Sequence, residues 1–260
     1  LADCDVRVVG KGQQLAYPKK AQHAAITRPF QLCYGDLLGP FPPEAYGGFK
    51  YVSNITDQFT RWTAVYLLET KRFAMDYFRL FGTSNVNLCD GRVIRWRTDK
   101  RGEYKSEAFK QYCLETSITQ GFEVTNTPQQ NSVSERVGRT LCSMVRGLLV
   151  DSEVPPKLWR ERMLTTAYFC NRTTHSGLDI ETPFKWQYGK KVSLSHLKII
   201  GARDFVHIKN AKKLEPKSWQ GMLWGFSEDE ALSYRVWNPK SRRVVKSKNV
   251  AFIETPSHLI

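Results

Sequence analysis

The sequence predicts a mixed α/β domain followed by a small, basic, all-β module. Three observations carry that expectation. Between about residues 27 and 184, β-type runs are interleaved with stretches of helical spacing. Beyond about 185, short β-type runs recur at intervals of roughly 8–12 residues. Residues 185–250 hold 15 Lys and Arg against 5 Asp and Glu, so most of the net charge of +14 sits in the second part. The 260 residues, 41% hydrophobic and 25% charged, suffice for one medium domain and one small one.

The elements follow in order. Residues 1–26 are polar and basic without a period and read as a linker. "FQLCYGDLLG" reads as a strand carrying Asp36, and "GPFPPEAYGG" as a loop. "FKYVSNIT" and "RWTAVYLLE" are β-rich runs around "DQFT", the pattern of a hairpin. "KRFAMDYFRLFGTSN" has helical spacing at Phe73, Tyr77, Leu80 and Phe81. "RVIRWRT" is a strand that ends at Asp99. "SEAFKQYCLETS" is a short helix that Ser106 can cap, and "ITQGFEVTNT" a short strand. The longest amphipathic helix is "SVSERVGRTLCSMVRGLLVDS". Val133, Val137, Leu141, Met144, Val145 and Leu148 share its apolar face, while Glu135, Arg139, Cys142 and Arg146 lie on another. "PPKLWRERMLTTAYFCNR" is a second helix with a Pro-Pro start. Five short β-type runs from "GARDFVHI" to "NVAFIE" complete the chain.

Composition narrows the function. A pI near 9.6 points to a polyanionic partner, with nucleic acid the first candidate; a merely solvated cationic face is the ordinary alternative. No run approaches the roughly 18 apolar residues of a membrane span. No secretory signal pattern opens the chain, and its six Cys form no C-x-x-C pair, so reduced thiols are expected. The chain does not begin with Met and is expected to be a fragment or a processed product. The triplets at Asn54 and Asn171 are expected to be accidental rather than glycosylated.

Three acids stand out by position. Asp36 lies in the first strand, Asp99 at a strand end and Glu135 near the start of the long helix, with 35 residues between the last two. A strand end and the first turn of a helix can meet in an α/β fold. Three carboxylates that meet cannot all stay ionised without a cation, and an all-oxygen set suits Mg²⁺ or Mn²⁺. Each acid alone also has an ordinary reading. Asp36 before a Gly-Pro loop can be a turn acid, Asp99 can pair with Lys100 or Arg101, and Glu135 can serve the helix dipole. Asp57 competes for the first position, but an Asp at a hairpin tip suits a structural role.

"YGDLLGPF", "KYVSNITDQFTRW", "RTDKRGEY" and "TPQQNSVSERVGRTL" resemble the integrase core of copia-type LTR retrotransposons. "LWRERMLTTAYFCNRT", "ETPFKWQYGKK", "KLEPKSWQGMLWGFS" and "VVKSKNVAFIE" resemble the segments that follow it in such Pol polyproteins, so the likeness covers roughly residues 27 to 255. The resemblance implies a ribonuclease H-like core, a mixed five-stranded sheet with flanking helices, over 27–184. It implies a basic SH3-like β module over 185–260. It further implies a polynucleotidyl transferase whose catalytic and metal-binding acids are Asp36, Asp99 and Glu135. Mg²⁺ or Mn²⁺ would serve cDNA 3′-end processing and strand transfer into target DNA. Lys100, Arg101, Thr127, Gln129, Gln130, Asn131, Arg136 and Arg139 would contact nucleic acid, with helix-surface ion pairing the ordinary reading of the last two. The partners implied are element cDNA ends, target DNA and further copies of the chain, in the nucleus or a cytoplasmic virus-like particle.

The departures from the family pattern are local. Lys100 and Arg101 stand where Asn-Gly is usual, and Ser132 where Gly is usual. "CDVRVVGK" resembles the end of the family's zinc module, but Arg7 replaces its last Cys, and Cys4 alone cannot hold zinc, so no zinc site is expected. A catalytically decayed or co-opted DNA-binding relic of the same element is therefore the alternative reading.

Overall fold

The computed structural model describes residues 25–86, 92–98, 103–122, 132–151, 154–227 and 233–253. Ten strands and five α-helices are formed there. The first three strands are β1 (Leu32–Leu38), β2 (Tyr51–Asp57) and β3 (Thr63–Leu68), followed by α1 (Ala74–Val86). Then come β4 (Arg95–Thr98), α2 (Glu107–Glu115), β5 (Thr119–Phe122), α3 (Ser132–Asp151), α4 (Trp159–Cys170) and α5 (Pro183–Tyr188). The last five strands are β6 (Arg203–His207), β7 (Ser218–Phe226), β8 (Tyr234–Asn238), β9 (Arg243–Ser247) and β10 (Val250–Ile253).

The first sheet has the order β3-β2-β1-β4-β5. β1, β2 and β3 are antiparallel neighbours, whereas β4 runs parallel to β1 and β5 parallel to β4. The parallel pairs need crossovers, and α1 and α2 supply them. This is the mixed five-stranded sheet expected. Alternation along β1 divides the two faces. Cys33 and Leu37 point into one core with Ile55, Phe78, Trp96 and Phe109. Leu38 points to the other face, where Val52, Leu141, Val145, Trp159 and Met163 form a second core under α3 and α4.

Trp96 organises the first core. Its ring packs against Phe78, Tyr104 and Phe109 at centroid distances of 4.3, 5.3 and 6.5 Å. A Cβ at Gly35 would come within 2.1 Å of that ring, so β1 can lie this close to it only with glycine there. Ser106 caps α2 as expected, its hydroxyl accepting from Phe109 N at 3.2 Å. Asp57 is fully buried at the β2–β3 turn. It accepts from Phe30 N at 2.9 Å and from Thr60 N and Oγ1 at 2.8 Å each. Burial raises its carboxyl above the ordinary value and these hydrogen bonds temper the rise. Its donors are those of a turn acid.

The second sheet is antiparallel throughout, with the order β10-β6-β7-β8-β9. α4 lies between the sheets. It shows no clean apolar stripe because Glu161, Arg162, Thr165 and Thr166 are buried along with Trp159, Met163 and Tyr168. The buried polar groups have work across the junction. Arg162 Nη1 and Thr165 Oγ1 donate to Trp224 O at 3.2 and 3.0 Å. Glu161 accepts from Arg160 Nε at 2.9 Å and pairs with Arg235 of β8. A Cβ at Gly225 would meet Thr165 Oγ1 at 2.2 Å, so that glycine permits the close approach.

Two elements depart from the expected reading. α5 was not expected from periodicity, being only six residues, although its ends are well marked. Thr182 Oγ1 accepts from Lys185 N at 3.2 Å, Pro183 occupies the first turn and Gly189 closes the helix at φ 67°. The strand expected over 118–127 is described only as far as Phe122. Cys33, Cys113, Cys142 and Cys170 are free thiols, and Cys4 lies outside the described residues. Asn54 and Asn171 are both buried, and Asn171 exchanges hydrogen bonds of 2.8 and 2.9 Å with the Thr63 backbone. No described helix is long and apolar enough to cross a membrane.

Candidate active site

β1 is the middle strand of the first sheet, and Asp36 lies near its C-terminal end on the face covered by α3. The half-buried carboxylate accepts from Leu37 N through Oδ1 at 2.8 Å. Gly138 of α3 lies above it: a Cβ there would stand 3.7 Å from Asp36 Oδ2 and 2.8 Å from Leu38 Cδ2. The missing side chain lets the helix settle onto β1. Cys142, one turn further, also senses this carboxylate. Its thiol is raised first by burial, while Arg146 lowers it and the Asp36 charge raises it.

Glu135 stands in the first turn of α3, seven residues before Cys142, and is exposed. Residues spaced by three, four and seven share one flank of a helix, so Glu135, Gly138 or Arg139, and Cys142 form one stripe. The stripe that bears Glu135 is therefore the stripe turned toward Asp36. β4 lies on the other side of β1 in parallel register, Thr98 opposite Gly35. Asp99 follows Thr98 in sequence and lies outside the described residues, as do Lys100, Arg101, Thr127, Gln129, Gln130 and Asn131. Among the described residues no three His, Cys, Asp or Glu side chains converge into a metal cluster.

Asn54 was not anticipated. It pairs directly across from Asp36 in the β1–β2 ladder and is 1% exposed. Neither its amide nitrogen nor its amide oxygen has a hydrogen-bond partner among the described residues. Buried amides are normally satisfied, so this one marks a polar position beside Asp36. The sequence held a faint signal: an Asn stands in the middle of the β-rich run "YVSNIT". Arg136 and Arg139 are both exposed on α3. Arg136 faces a separate cavity with Val133, Val137 and Thr140.

The site lies on a mixed five-stranded α/β sheet that is followed by an all-antiparallel five-stranded sheet. Comparison with known proteins gives the family. Residues 203–258 match the family described as retroviral polymerase SH3-like domain. Over 254 residues, 97% of its length, the chain is 33% identical to the retrovirus-related Pol polyprotein from transposon TNT 1-94 of Nicotiana tabacum. Over 230 residues, 88% of its length, it is 26% identical to the corresponding polyprotein from transposon RE2 of Arabidopsis thaliana. It spans only 19% and 16% of those two polyproteins. Its homologues are copia-type, retrovirus-related Pol polyproteins of plant transposons. Among solved structures, the HTLV-2 integrase catalytic core domain in complex with magnesium is similar at a TM-score of 0.47 and 14% identity. That likeness covers 62% of this chain and 97% of the other. A simian T-cell lymphotropic virus intasome in complex with PP2A regulatory subunit B56 gamma is similar at a TM-score of 0.48 and 12% identity, covering 89% and 84%.

Proposed function

We propose that this chain is the integrase segment of a retrotransposon Pol polyprotein, a metal-dependent polynucleotidyl transferase that processes cDNA 3′ ends and joins them to target DNA. The observation that carries the reading is the placement of Asp36. It lies near the end of the central strand and beneath the stripe of α3 that bears Glu135. Thr98 pairs with Gly35, and Asp99 and Asp36 are each the next residue in sequence.

The donor set fits a hard divalent cation. Asp36 and Glu135 offer carboxylate oxygens, no His or Cys is needed, and the Asn54 amide, unpartnered among the described residues, adds a polar group opposite Asp36. Asp36, Asp99 and Glu135 would hold Mg²⁺ or Mn²⁺, which would supply Lewis-acid activation of the phosphodiester and of the attacking oxygen. The chain's own work is positioning. Leu37 N–H binds Oδ1 of Asp36, and Oδ2 faces Gly138 of α3. Arg139, with Lys100, Arg101, Thr127, Gln129, Gln130 and Asn131, would grip phosphate and sugar without reading sequence. The basic second sheet would add salt-sensitive, sequence-independent affinity. DNA and further copies of the chain are the partners proposed, in the nucleus or a virus-like particle.

A second reading is a DNA-binding relic that no longer cuts. Lys100 and Arg101 beside Asp99, and Ser132 at the head of α3, favour it because they depart from the family pattern. Titration with Mn²⁺ separates the two. On the enzymatic reading the parent chain binds Mn²⁺, and Asp36→Asn and Glu135→Gln each weaken binding at least tenfold. Equal Mn²⁺ affinity in all three proteins would contradict the assigned site.

A further inference from the structure

A second cavity lies across α3 from the Asp36 stripe. It measures about 580 Å³ and is bounded by the β2–β3 turn, one flank of α3 and the loop after α4. That volume is within the range of small-molecule pockets, and far larger than a lone phosphate needs. Three nitrogen bases border it: Arg61, Arg136 and His175. No Asp or Glu lines it among the described residues. Val133, Val137 and Met144 supply an apolar wall.

The charges there are arranged at a cost. Arg61 is held at φ 59°, in the left-handed region, and its Nη1 donates to Gln58 Oε1 at 2.7 Å. Its Nε is buried without an acceptor, which is unusual for a guanidinium. Burial lowers the Arg61 pKa most, Tyr34 and Asp57 oppose it, and the nearby Arg136 charge adds a smaller lowering. His175 is lowered by burial and then by the Arg61 and Arg136 charges. Its Nδ1 accepts from Gly177 N at 3.0 Å, so in the neutral ring the proton sits on Nε2, which is left as a donor. Clustered cations that repel one another, and a buried donor without an acceptor, are both relieved by an anion.

We propose that this cavity binds one nucleotide unit, its phosphate between Arg61 and Arg136 with His175 Nε2 as a further donor, and its sugar against Val133, Val137 and Met144. The proposal gives the chain a nucleotide site outside the acid cluster. It does not depend on the carboxylates being active. The phosphate can come from a free nucleotide or from a nucleic-acid strand, and the test separates them.

The full chain is titrated calorimetrically, in EDTA, with 5′-dTMP and with a five-residue oligothymidylate. The parent, Arg61→Gln, Arg136→Gln and a distant Lys110→Gln variant on α2 are compared. The expected result is saturable binding that Arg61→Gln and Arg136→Gln each weaken at least tenfold. Lys110→Gln keeps the parent affinity, and the His175 ring resonances shift on binding. Arg136 lies on the exposed side of its helix, so its substitution keeps the test valid if Arg61→Gln fails to fold. Binding of both probes with equal affinity assigns the free nucleotide; a large preference for the oligonucleotide assigns the strand. No binding, or binding that falls equally in all basic variants with the His175 resonances unmoved, overturns the proposal. Loss of Mn²⁺ binding in the earlier titration would not bear on it.

Discussion

At the scale of single residues, buried carboxylates do opposite things in the two sheets. Asp57 accepts from Phe30 N, from Thr60 N and Oγ1 and from the Cys33 thiol, and is a structural anchor. Asp204 on β6 is fully buried, and among the described residues neither oxygen makes a hydrogen bond of ordinary geometry, although Gly221 N–H lies near enough to temper its charge. Burial pushes its carboxyl up to about 7 from an ordinary 3.8. Between those values the folded chain keeps a proton that the unfolded chain has released. Stability therefore falls as pH rises through that window and levels off above about 7. Asp204→Asn is expected to remove this dependence. In thermal melts the variant should exceed the parent at pH 8 and converge on it near pH 4. Parallel profiles for the two proteins would show that Asp204 is not the group responsible. The same scale separates the candidate acids. The sequence already favoured a structural role for Asp57 at a hairpin tip, and its donors agree with that reading, whereas Asp36 is a carboxylate turned toward a helix.

At the scale of elements, two glycines set the placement of the site. Gly35 lets β1 lie against the Trp96 ring, and Gly138 lets α3 lie against β1. The Trp96 ring is hemmed in by Phe78, Tyr104 and Phe109 and has little room to yield. Gly35→Ala should then cost about 2–3 kcal/mol by overpacking, read in urea unfolding; a change below about 0.5 kcal/mol would mean that the ring moves freely. Much of this architecture was legible in the sequence. β-rich runs around a turn marked β1, β2 and β3, helical spacing marked α1 and α3, and the Ser106 cap marked the start of α2. The short α5 was not legible because six residues carry too little periodicity, and only its capping residues mark it. α4 was legible as a helix but not as the junction, since burial on all sides leaves no stripe. The acids at positions 36, 99 and 135 were suggested by spacing and by family likeness. Asn54, Arg61 and His175 were not, because their roles arise from cross-strand pairing and loop contacts that sequence spacing does not encode.

At the scale of the whole molecule, α4 fastens the second sheet to the first. Glu161 is 2% exposed and holds Arg160 beside it and Arg235 across the junction, while Arg162 reaches the Trp224 carbonyl. Burial lowers the Arg162 pKa to about 10, with Glu161 and Asp151 opposing. Breaking such a buried pair from one side strands the other charge. Glu161→Ala should thus lower the unfolding free energy by about 3 kcal/mol. A drop of the size of a surface ion pair, about 0.5 kcal/mol, would show that the junction does not depend on it. On the proposed reading, α4 would hold the basic sheet in place relative to Asp36, and DNA bound by one would be presented to the other. The central claim is that Asp36, Asp99 and Glu135 act together on DNA. Its most direct test is Mn²⁺-dependent joining of an oligonucleotide duplex to target DNA, by the parent and by Asp36→Asn, Asp99→Asn and Glu135→Gln. Joined products from the parent, lost in each variant while salt-sensitive DNA binding persists, are the predicted result; no joining by a parent that still binds DNA would contradict it and leave the relic reading.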